Sequence, residues 1–515
     1  MITQIFRKYD IRGKVDIDFK IADIYQITLA IAAYFKKHQP LIKTVALGMD
    51  GRLHSPAIKE QVTQALLDSG LDVLFIGICS SPVLYFATHK LPVEAGIMIT
   101  ASHNPKAYNG LKLVLNRETL WDTQITEIRD LYLKITSENT RNIAQLPSTT
   151  LGVSGVSGVK NSKLTDEALR HVTILDSKQA EVSESVRVIN SSYREQDLIE
   201  QYTDYLAEQF KHLKNSELKF ALDCGNGAAC TVVPKLMQKL NWPNVKLLCA
   251  ELDGNFPNHQ ADPTQLANML DLQQALTLDP ELEFGAGLDG DVDRVGLMTK
   301  FGTLVPNDKL LTVFAKSLSK NIKNLTIVGD IKYSASLKNY LSQFGVNTIL
   351  APCGVAFIKN SMRQHQALLG GELSGHFCFF DRYLGYDDGL YALLRFCEIL
   401  ITENTNLTKL LSQLPTTVYS PEIRIHCHPE QKELIVNHAK TILARRTDLN
   451  IIDIDGVRSE SAIGWGGIRA SNTEDVLSIR FEAQSIADLK IITTDYFEIL
   501  KEFFDEKTLK TDLNL

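Results

Sequence analysis

The chain has 515 residues, of which 44% are apolar and 22% are charged, and its formal net charge is −7. This length exceeds what one hydrophobic core serves and predicts three or four domains of about 100–200 residues each. The near-average composition excludes disordered and fibrous chains, and the acidic balance argues against a protein that coats nucleic acid.

The start of the chain and its cysteines indicate a cytoplasmic protein. Residues 1–10 lack the apolar core of about 7–15 residues that a signal peptide needs. The apolar stretch Ile27–Phe35 has about half of the roughly 20 residues that cross a bilayer, so it predicts a buried helix. The 8 cysteines form no C-x-x-C pair, which indicates reduced thiols and neither a zinc site nor a disulfide framework. We therefore expect neither a membrane nor a nucleic-acid partner.

Helices and strands alternate along most of the chain. A helical pattern over Ile21–Pro40 leads into a strand at Thr44–Gly48, a helix at Ser55–Ser69 and an apolar run at Val73–Ile76. The same alternation returns at residues 219–223, 246–248 and 325–328, with a helix near Ser336. This rhythm predicts three successive α/β domains.

Two regions depart from that rhythm. The stretch 147–192 is rich in Ser, Thr, Val and Gly and predicts a linker or an insertion. Neither Ser154 nor Ser157 has both glycines of a G-x-S-x-G nucleophile elbow. After Pro421 the pattern becomes strand, helix, paired strands and helix, which predicts a smaller α+β domain. The predicted domains are therefore 1–146, 193–305, 306–420 and 421–515.

The segment Thr100–Pro105 offers a nucleophile. Ser102 follows the apolar strand Ala95–Ile99 in a polar loop, with His103 beside it and Lys112 nearby. A serine at a strand end with cationic side chains close by has the parts of an activated nucleophile. Asn-Pro and Asn-Gly steps also form ordinary turns, and sequence neighbours need not face each other, so this segment alone does not establish a Ser-His pair.

The segment Gly285–Arg294 indicates a metal site. Asp289, Asp291 and Asp293 alternate between two strand-like runs. Three carboxylates can converge on one hard cation, and without a cation they would repel one another, so Mg²⁺ is the expected ligand. A calcium EF-hand is excluded because Arg294 stands where that motif needs Gly and Lys300 where it needs Glu.

Two further glycine-flanked segments carry binding groups. In residues 370–376 the side chains of Glu372, Ser374 and His376 alternate, as suits binding of sugar hydroxyls. Residues 466–473 gather groups that bind phosphate, namely Arg469, Ser471, Asn472 and Thr473. Each segment taken alone is also compatible with a surface turn.

Together, the four segments resemble the α-D-phosphohexomutase superfamily, in particular bacterial phosphomannomutase/phosphoglucomutase. The opening Ile5–Gly13 is similar to that family's first motif, and the later motifs follow in the family's order over almost the whole chain. The resemblance implies three topologically related α/β domains with mixed sheets around a central cleft. It also implies a C-terminal α+β domain, TATA-box-binding-protein-like, that acts as a lid.

The resemblance also implies a role for each segment. Ser102 would carry a phosphoryl group and, with the three aspartates Asp289, Asp291 and Asp293, would bind one Mg²⁺. Arg12, His103 and Lys112 would be the catalytic side chains beside it, and the choice of general base among them stays open. The substrate-binding set would comprise Tyr9, Arg294, Lys332, Glu372, Ser374, His376, Arg469, Ser471, Asn472 and Thr473.

The implied reaction interconverts mannose 1-phosphate and mannose 6-phosphate, and the glucose phosphates alongside, in a monomer. A hexose 1,6-bisphosphate would be both intermediate and activator. A phosphoglucosamine mutase, a phosphoserine-forming sugar phosphatase and a non-catalytic sugar-phosphate-binding protein are the alternatives. Val355 stands where the family has a histidine, which makes the preferred sugar harder to predict, and the stretch 147–192 is longer than the family needs.

Overall fold

The computed structural model describes residues 2–144, 191–471 and 475–513. The predicted insertion at 147–192 lies almost wholly outside these ranges, and Asn472 and Thr473 lie outside them as well. The described residues form four sheets, each with its own covering helices.

The first unit is a mixed sheet with helices packed on it. Its strands are β1 (Ile11–Lys14), β2 (Thr44–Met49), β3 (Asp72–Ile78), β4 (Ala95–Ile99), β5 (Tyr108–Leu115), β6 (Glu118–Thr119) and β7 (Tyr193–Glu195). Its helices are α1 (Asp23–His38), α2 (Ser55–Asp68), α3 (Ser81–Lys90) and α4 (Thr123–Ala144). The strand order is β1-β5-β4-β2-β3-β7, with β6 paired to β5. Every residue of β2 is buried, as expected of a central strand covered on both faces.

The first sheet takes in a strand from beyond the predicted boundary at residue 193. Strand β7 runs parallel to β3, with Val73 opposite Tyr193. The Asp72 carboxylate fixes this docking, because its Oδ1 accepts hydrogen bonds from the Ser192 amide at 2.6 Å and the Ser192 hydroxyl at 2.8 Å. The sheet therefore assigns residues 193–195 to the first unit, whereas the sequence boundary gave them to the second.

The second and third units are built in the same way. The second has strands β8 (Phe220–Asp223), β9 (Val245–Leu248), β10 (Phe284–Leu288), β11 (Val295–Thr299) and β12 (Leu304–Val305), with helices α5 (Ile199–Gln209), α6 (Ala229–Leu240) and α7 (Leu270–Leu278). The third has strands β13 (Thr326–Asp330), β14 (Asn347–Ala351), β15 (Leu369–Gly371) and β16 (Phe377–Phe379), with helices α8 (Asn307–Ser319), α9 (Ala335–Ser342), α10 (Val355–Gln364), α11 (Gly389–Thr402) and α12 (Leu407–Ser412).

One strand pattern recurs in all three units. In each, a central strand is flanked by two parallel strands, and the second of these pairs with an antiparallel fourth strand. The three sets are β3-β2-β4-β5, β9-β8-β10-β11 and β14-β13-β15-β16. The prediction of three topologically related α/β domains with mixed sheets is confirmed.

The last unit is an α+β layer, as the sequence predicts. Its strands are β17 (Val418–Tyr419), β18 (Ile423–His426), β19 (Asn450–Ile452), β20 (Val457–Ser461), β21 (Gly464–Ala470) and β22 (Val476–Ala483), and all their pairings are antiparallel. Helices α13 (Pro429–Leu443), α14 (Ile486–Leu500) and α15 (Glu506–Leu513) accompany the sheet and share its apolar core. In the part of the chain that the structure describes, none of the helices combines the length and the hydropathy of a membrane-spanning segment.

Candidate active site

Three polar loops occupy the same place in the three related units. Each connects the third parallel strand to its antiparallel neighbour: residues 100–107 between β4 and β5, 289–294 between β10 and β11, and 372–376 between β15 and β16. Loops at the carboxyl ends of parallel strands are where ligands bind in α/β sheets. The repeated topology thus brings the Ser102, aspartate and Glu372 segments to equivalent positions.

Ser102 is held in a strained, buried turn. Its φ is 51°, in the left-handed region, and its side chain is buried. The Ser102 amide donates to Thr100 Oγ1 at 2.8 Å, and Arg52 Nη2 donates to the Ser102 carbonyl oxygen at 2.6 Å. This clamp orients the hydroxyl, which donates to Asp289 Oδ2 at 2.8 Å and lies 3.2 Å from His103 Nδ1.

The three aspartates form a buried carboxylate cluster. One oxygen from each of Asp289, Asp291 and Asp293 lies within 4.8 Å of the other two, and the three side chains are at most 1% exposed. Burial and the neighbouring Asp293 raise the pKa of Asp289 to about 7. Burial also disfavours ionised Asp291, but the adjacent Lys112 ammonium outweighs burial and holds that pKa below its ordinary value.

Lys112 offsets part of this negative charge. Its Nζ lies 2.6 Å from Asp291 Oδ2 and also contacts Asp293 Oδ2. Arg294 adds a second cation, with Nε donating to Asp289 Oδ2 at 3.0 Å. Lys112 lies on β5, directly after the candidate nucleophile loop (residues 100–107), and its ion pairs join that strand to the aspartate loop (residues 289–294). The Arg294–Asp289 pair lies within the aspartate loop.

The donor set fits a hard divalent cation. The Oδ1 atoms of Asp291 and Asp293 are buried and find no hydrogen-bond donor among the described residues. Buried carboxylate oxygens without a partner are costly unless a cation binds them, and oxygen-only ligands are those that Mg²⁺ prefers. The Ser102 hydroxyl, bonded to Asp289, lies beside this cluster.

The third loop is joined to the aspartate loop through the backbone. Arg294 and His376 form an antiparallel β-bridge, and the Val295 amide donates to the Gly375 carbonyl oxygen at 3.1 Å. His376 Nδ1 lies 3.1 Å from Asp387 Oδ2 and 3.7 Å from Asp293 Oδ1. Burial would lower the pKa of His376, but these carboxylates raise it to about 9, so the imidazole is charged at neutral pH.

Glu372 faces a neighbouring turn of the third unit. Its Oε1 accepts from the Gly354 amide at 2.5 Å, and Ser374 Oγ lies 3.4 Å from its Oε2. Burial raises the pKa of Glu372. Val355, where the sequence comparison expected a histidine, begins α10 and packs against the apolar cluster beneath that helix.

The C-terminal unit reaches the same turn. Arg469 Nε donates to Asp455 Oδ2 at 2.8 Å, and that oxygen also accepts from the Cys353 amide at 2.9 Å. The Tyr9 hydroxyl of the first unit donates to the Cys353 carbonyl oxygen at 2.5 Å. The first, third and fourth units therefore meet at residues 353–354.

The remaining predicted residues lie around this framework. Arg12 Nη1 donates to Asn104 Oδ1 at 2.6 Å, within the nucleophile loop. Lys332 Nζ donates to Glu422 Oε1 at 2.9 Å, on the side of the C-terminal unit. Ser471 directly follows β21 and is the last residue described before 475. Its carbonyl oxygen accepts a hydrogen bond from Lys432. The predicted positions Asn472 and Thr473 lie outside the described residues.

Sequence reasoning missed four side chains of the site. Arg52 donates to carbonyl oxygens along the nucleophile loop, and Ser81 Oγ donates to Asp291 Oδ2 at 2.5 Å. Lys359 Nζ lies 3.0 Å from Asp387 Oδ1, and Asp387 in turn faces His376. A signal for Arg52 was present, because charged residues directly after the buried strand β2 stand at the carboxyl end of the sheet.

Comparisons with known proteins agree with this geometry. Residues 3–139, 200–302 and 306–418 match the family models for phosphoglucomutase/phosphomannomutase alpha/beta/alpha domains I, II and III, respectively. A phosphomannomutase/phosphoglucomutase of Pseudomonas syringae pv. tomato is 34% identical over 97% of this chain and 95% of its own length. A phosphoglucomutase of Neisseria gonorrhoeae is 33% identical over 96% of both chains. The crystal structure of a phosphoglucomutase/phosphomannomutase family protein from Burkholderia thailandensis superposes with a TM-score of 0.79 at 28% identity, over 97% of both chains.

Proposed function

The chain belongs to the phosphoglucomutase/phosphomannomutase family, and we propose that it interconverts the 1- and 6-phosphates of mannose, and of glucose alongside, through a phosphorylated Ser102. It is an isomerase that transfers a phosphoryl group within a hexose phosphate. The observation that carries the proposal is the hydrogen bond of Ser102 Oγ to Asp289, 2.8 Å long, inside the carboxylate cluster.

The reaction starts from phosphorylated Ser102. The substrate hydroxyl attacks phosphorus, the bond from phosphorus to Ser102 Oγ breaks, and a hexose 1,6-bisphosphate forms. This intermediate turns end for end, its other phosphoryl group is transferred to Ser102 Oγ, and the isomerised monophosphate leaves. Lys112 and Arg294 stabilise the charge on the transferring group, and Arg12, His103 and Lys112 are the groups available to move the hydroxyl proton.

Asp289, Asp291 and Asp293 would hold one Mg²⁺ together with a phosphoryl oxygen on Ser102. When bound, this cation neutralises charge on the transferring phosphoryl group, which is most of what phosphoryl transfer asks of a protein. The unpartnered oxygens of Asp291 and Asp293 support this assignment.

The distal phosphate would bind on the C-terminal unit, at Arg469, Ser471, Asn472 and Thr473, with Lys332 alongside. Glu372 would accept hydrogen bonds from the sugar hydroxyls, and Ser374 would donate to them. Charged His376 would face the phosphate end of the substrate. Because one distal site must accept both ends of the substrate, it should recognise charge and not the identity of the sugar. Water must be excluded while the intermediate turns.

We propose further that one chain is catalytically complete and acts as a monomer in the cytoplasm. All the groups named above belong to one chain, and the eight cysteines are free thiols, as suits a reducing compartment. Sedimentation of the purified protein tests the monomer.

Phosphorus NMR tests the activity. The protein is supplied with Mg²⁺, a trace of glucose 1,6-bisphosphate and, separately, mannose 1-phosphate, glucose 1-phosphate and glucosamine 1-phosphate, beside a Ser102→Ala control. We expect 6-phosphates from mannose and glucose, lost in the control. Conversion of the amino sugar alone would replace the assignment with a phosphoglucosamine mutase, and accumulation of inorganic phosphate would replace it with a phosphatase.

A further inference from the structure

A second cluster of metal-binding side chains lies in the second unit, outside the carboxylate cluster. Asp223, Cys249 and His259 each offer one ligand atom, and the three atoms lie within 4.8 Å of one another. Asp223 ends β8 and Cys249 directly follows β9, and these two strands are parallel neighbours. Side chains at the carboxyl ends of adjacent parallel strands are thus brought together, and the loop after β9 adds His259. The pattern escapes a search for paired cysteines because the set contains one cysteine and its ligands are spread over residues 223–259.

The imidazole of His259 is oriented for coordination. Its Nδ1 lies 3.0 Å from the Gln260 carbonyl oxygen, which can only accept, so Nδ1 carries a proton. Metal-binding histidines almost always donate their second ring N–H to such a carbonyl or carboxylate, which leaves the other nitrogen available to the metal. Here that nitrogen, Nε2, points at Asp223 Oδ2 at 2.9 Å and at Cys249 Sγ at 3.7 Å.

The spacing suits a tetrahedral ion. At the tetrahedral angle, metal–ligand bonds of about 2.0–2.3 Å place neighbouring ligand atoms about 3.3–3.8 Å apart. The distance of 3.7 Å from Nε2 to Sγ already matches, and the distance of 2.9 Å from Nε2 to Oδ2 needs to open by only a few tenths of an ångström. His259 Nε2 and Asp223 Oδ2, 2.9 Å apart, would both be acceptors, so either a proton on Nε2 or a metal ion must lie between them. Cys249 and His259 are not fully buried, and 12% of the His259 side chain is exposed, so the cluster has an edge at which an ion can enter and water can supply a fourth ligand.

We propose that Asp223, Cys249 and His259 form a site for a borderline or soft divalent cation of the Zn²⁺ and Co²⁺ class, separate from the Mg²⁺ site. The thiolate and imidazole ligands select such ions over Mg²⁺, which prefers oxygen donors alone. Binding replaces the protons of the thiol and of Nε2, which pass to solvent. The site adjoins the nucleophile loop, since Gln260 Nε2 donates to the His103 carbonyl oxygen at 2.6 Å.

The test uses Co²⁺ as the probe on the full-length protein in saturating Mg²⁺, so that the aspartate cluster is occupied. We expect a thiolate-to-cobalt charge-transfer absorption that saturates at one Co²⁺ per chain and is bleached by Zn²⁺, which binds such ligands more tightly. The variant Cys249→Ser should lose the absorption. The matched control is Cys427→Ser, because Cys427 is a half-buried thiol of the C-terminal unit.

A second variant keeps the test decisive if Cys249→Ser does not fold. His259→Gln should weaken Co²⁺ binding by at least about tenfold, since loss even of a residue that only orients a ligand typically costs 10–100-fold in metal affinity. Absence of the absorption in the wild type would overturn the proposal and leave Asp223 and His259 as a structural ion pair. Its persistence in both variants, or its loss in Cys427→Ser alone, would overturn it too.

Discussion

Gly290 packs directly against the Ser102 carbonyl oxygen: a β-carbon added to Gly290 would stand 2.4 Å from that oxygen. No real β-carbon approaches an oxygen so closely, so a larger residue must push the two loops apart. The same carbonyl oxygen accepts a hydrogen bond from Arg52 Nη2 at 2.6 Å. Ser102 can therefore lie this close to the aspartate cluster only because residue 290 is a glycine and has no side chain.

Gly290→Ala should reduce kcat by about 100-fold, because a misplacement of about 1 Å at a reacting group can cost that much. Steady-state kinetics checks the fall. The control is Gly345→Ala, in an exposed turn where φ is 72° and no atom lies near the added carbon. That control should lose about 1 kcal/mol of stability and keep its kcat. Equal kcat values in the two variants would show that the contact at Gly290 has no catalytic consequence.

Lys112→Met should make the protein depend more strongly on Mg²⁺ for its thermal stability. Without the ammonium group, three buried carboxylates repel one another, and a bound cation then contributes more to the folded state. We expect a lower Tm than wild type without Mg²⁺ and a larger rise in Tm when Mg²⁺ is added. Differential scanning calorimetry with and without EDTA measures both. The control is Lys214→Met, which removes an exposed lysine. If the Mg²⁺-induced rise in the Tm of Lys112→Met only equalled that of wild type, the result would argue against a cation at the aspartates.

Asp308→Ala should loosen the C-terminal unit. Arg480 Nη2 on β22 lies 3.0 Å from Asp308 Oδ2 on α8, and both side chains are buried. Removing one partner of a buried ion pair leaves an unpaired charge and costs about 3–5 kcal/mol. Relative to wild type, we expect hydrogen exchange in the variant to accelerate more in residues 421–513 than in the first unit. We also expect a higher KM, because the C-terminal unit carries Arg469.

The control for that loosening is Asp495→Ala, which breaks an exposed ion pair with Arg446 on the same unit. Exposed pairs contribute about 0–1 kcal/mol, so its exchange rates should stay near those of wild type. If Asp308→Ala exchanged no faster than this control, the ion pair would not hold the two units together.

Asp388→Asn should change how stability varies with pH. Asp388 caps α11 and accepts hydrogen bonds from Tyr202 at 2.7 Å and Tyr383 at 2.6 Å, and burial raises its pKa to about 6. The folded state binds the Asp388 proton more tightly than the unfolded chain does. The contribution of protonated Asp388 to the free energy of unfolding is therefore fully present below about pH 4 and is lost as the pH rises through about 6. The shift of about two units corresponds to about 3 kcal/mol.

Thermal unfolding of wild type and Asp388→Asn between pH 4.5 and 7 checks the sign. The Tm of the variant relative to wild type should rise with pH, because the variant lacks the penalty of a buried ionised carboxylate. A difference in Tm that stayed constant or fell with pH would contradict the raised pKa.

The elements and the order of the polar segments were predictable because both depend on local signals. Strand β4 was predicted at Ala95–Ile99 and lies there, since an apolar run between polar loops is decided by its own residues. The repeated topology then follows from the same strand-and-helix rhythm in three units. The connection of the three loops to one another was predictable only through the family resemblance.

Contacts that join distant segments escaped prediction for a physical reason. Strand β7 joins the first sheet by pairing with β3, a choice made by tertiary structure and not by its own three residues. Lys359 and Asp387 form a buried ion pair that faces His376, yet the two residues lie in separate segments and nothing in either segment points to the other. Such pairs become visible only when the fold brings their segments together.

Phosphorylation of Ser102 is tested most directly by intact-mass analysis of the purified protein, incubated with Mg²⁺ and glucose 1,6-bisphosphate and then separated from the sugar. The phosphoserine mechanism predicts that wild type gains the mass of one phosphoryl group, that peptide mapping locates it on Ser102, and that excess mannose 1-phosphate or glucose 1-phosphate removes it. Ser102→Ala should gain nothing. A phosphoryl group on another residue, or turnover by Ser102→Ala at the wild-type rate, would contradict the mechanism.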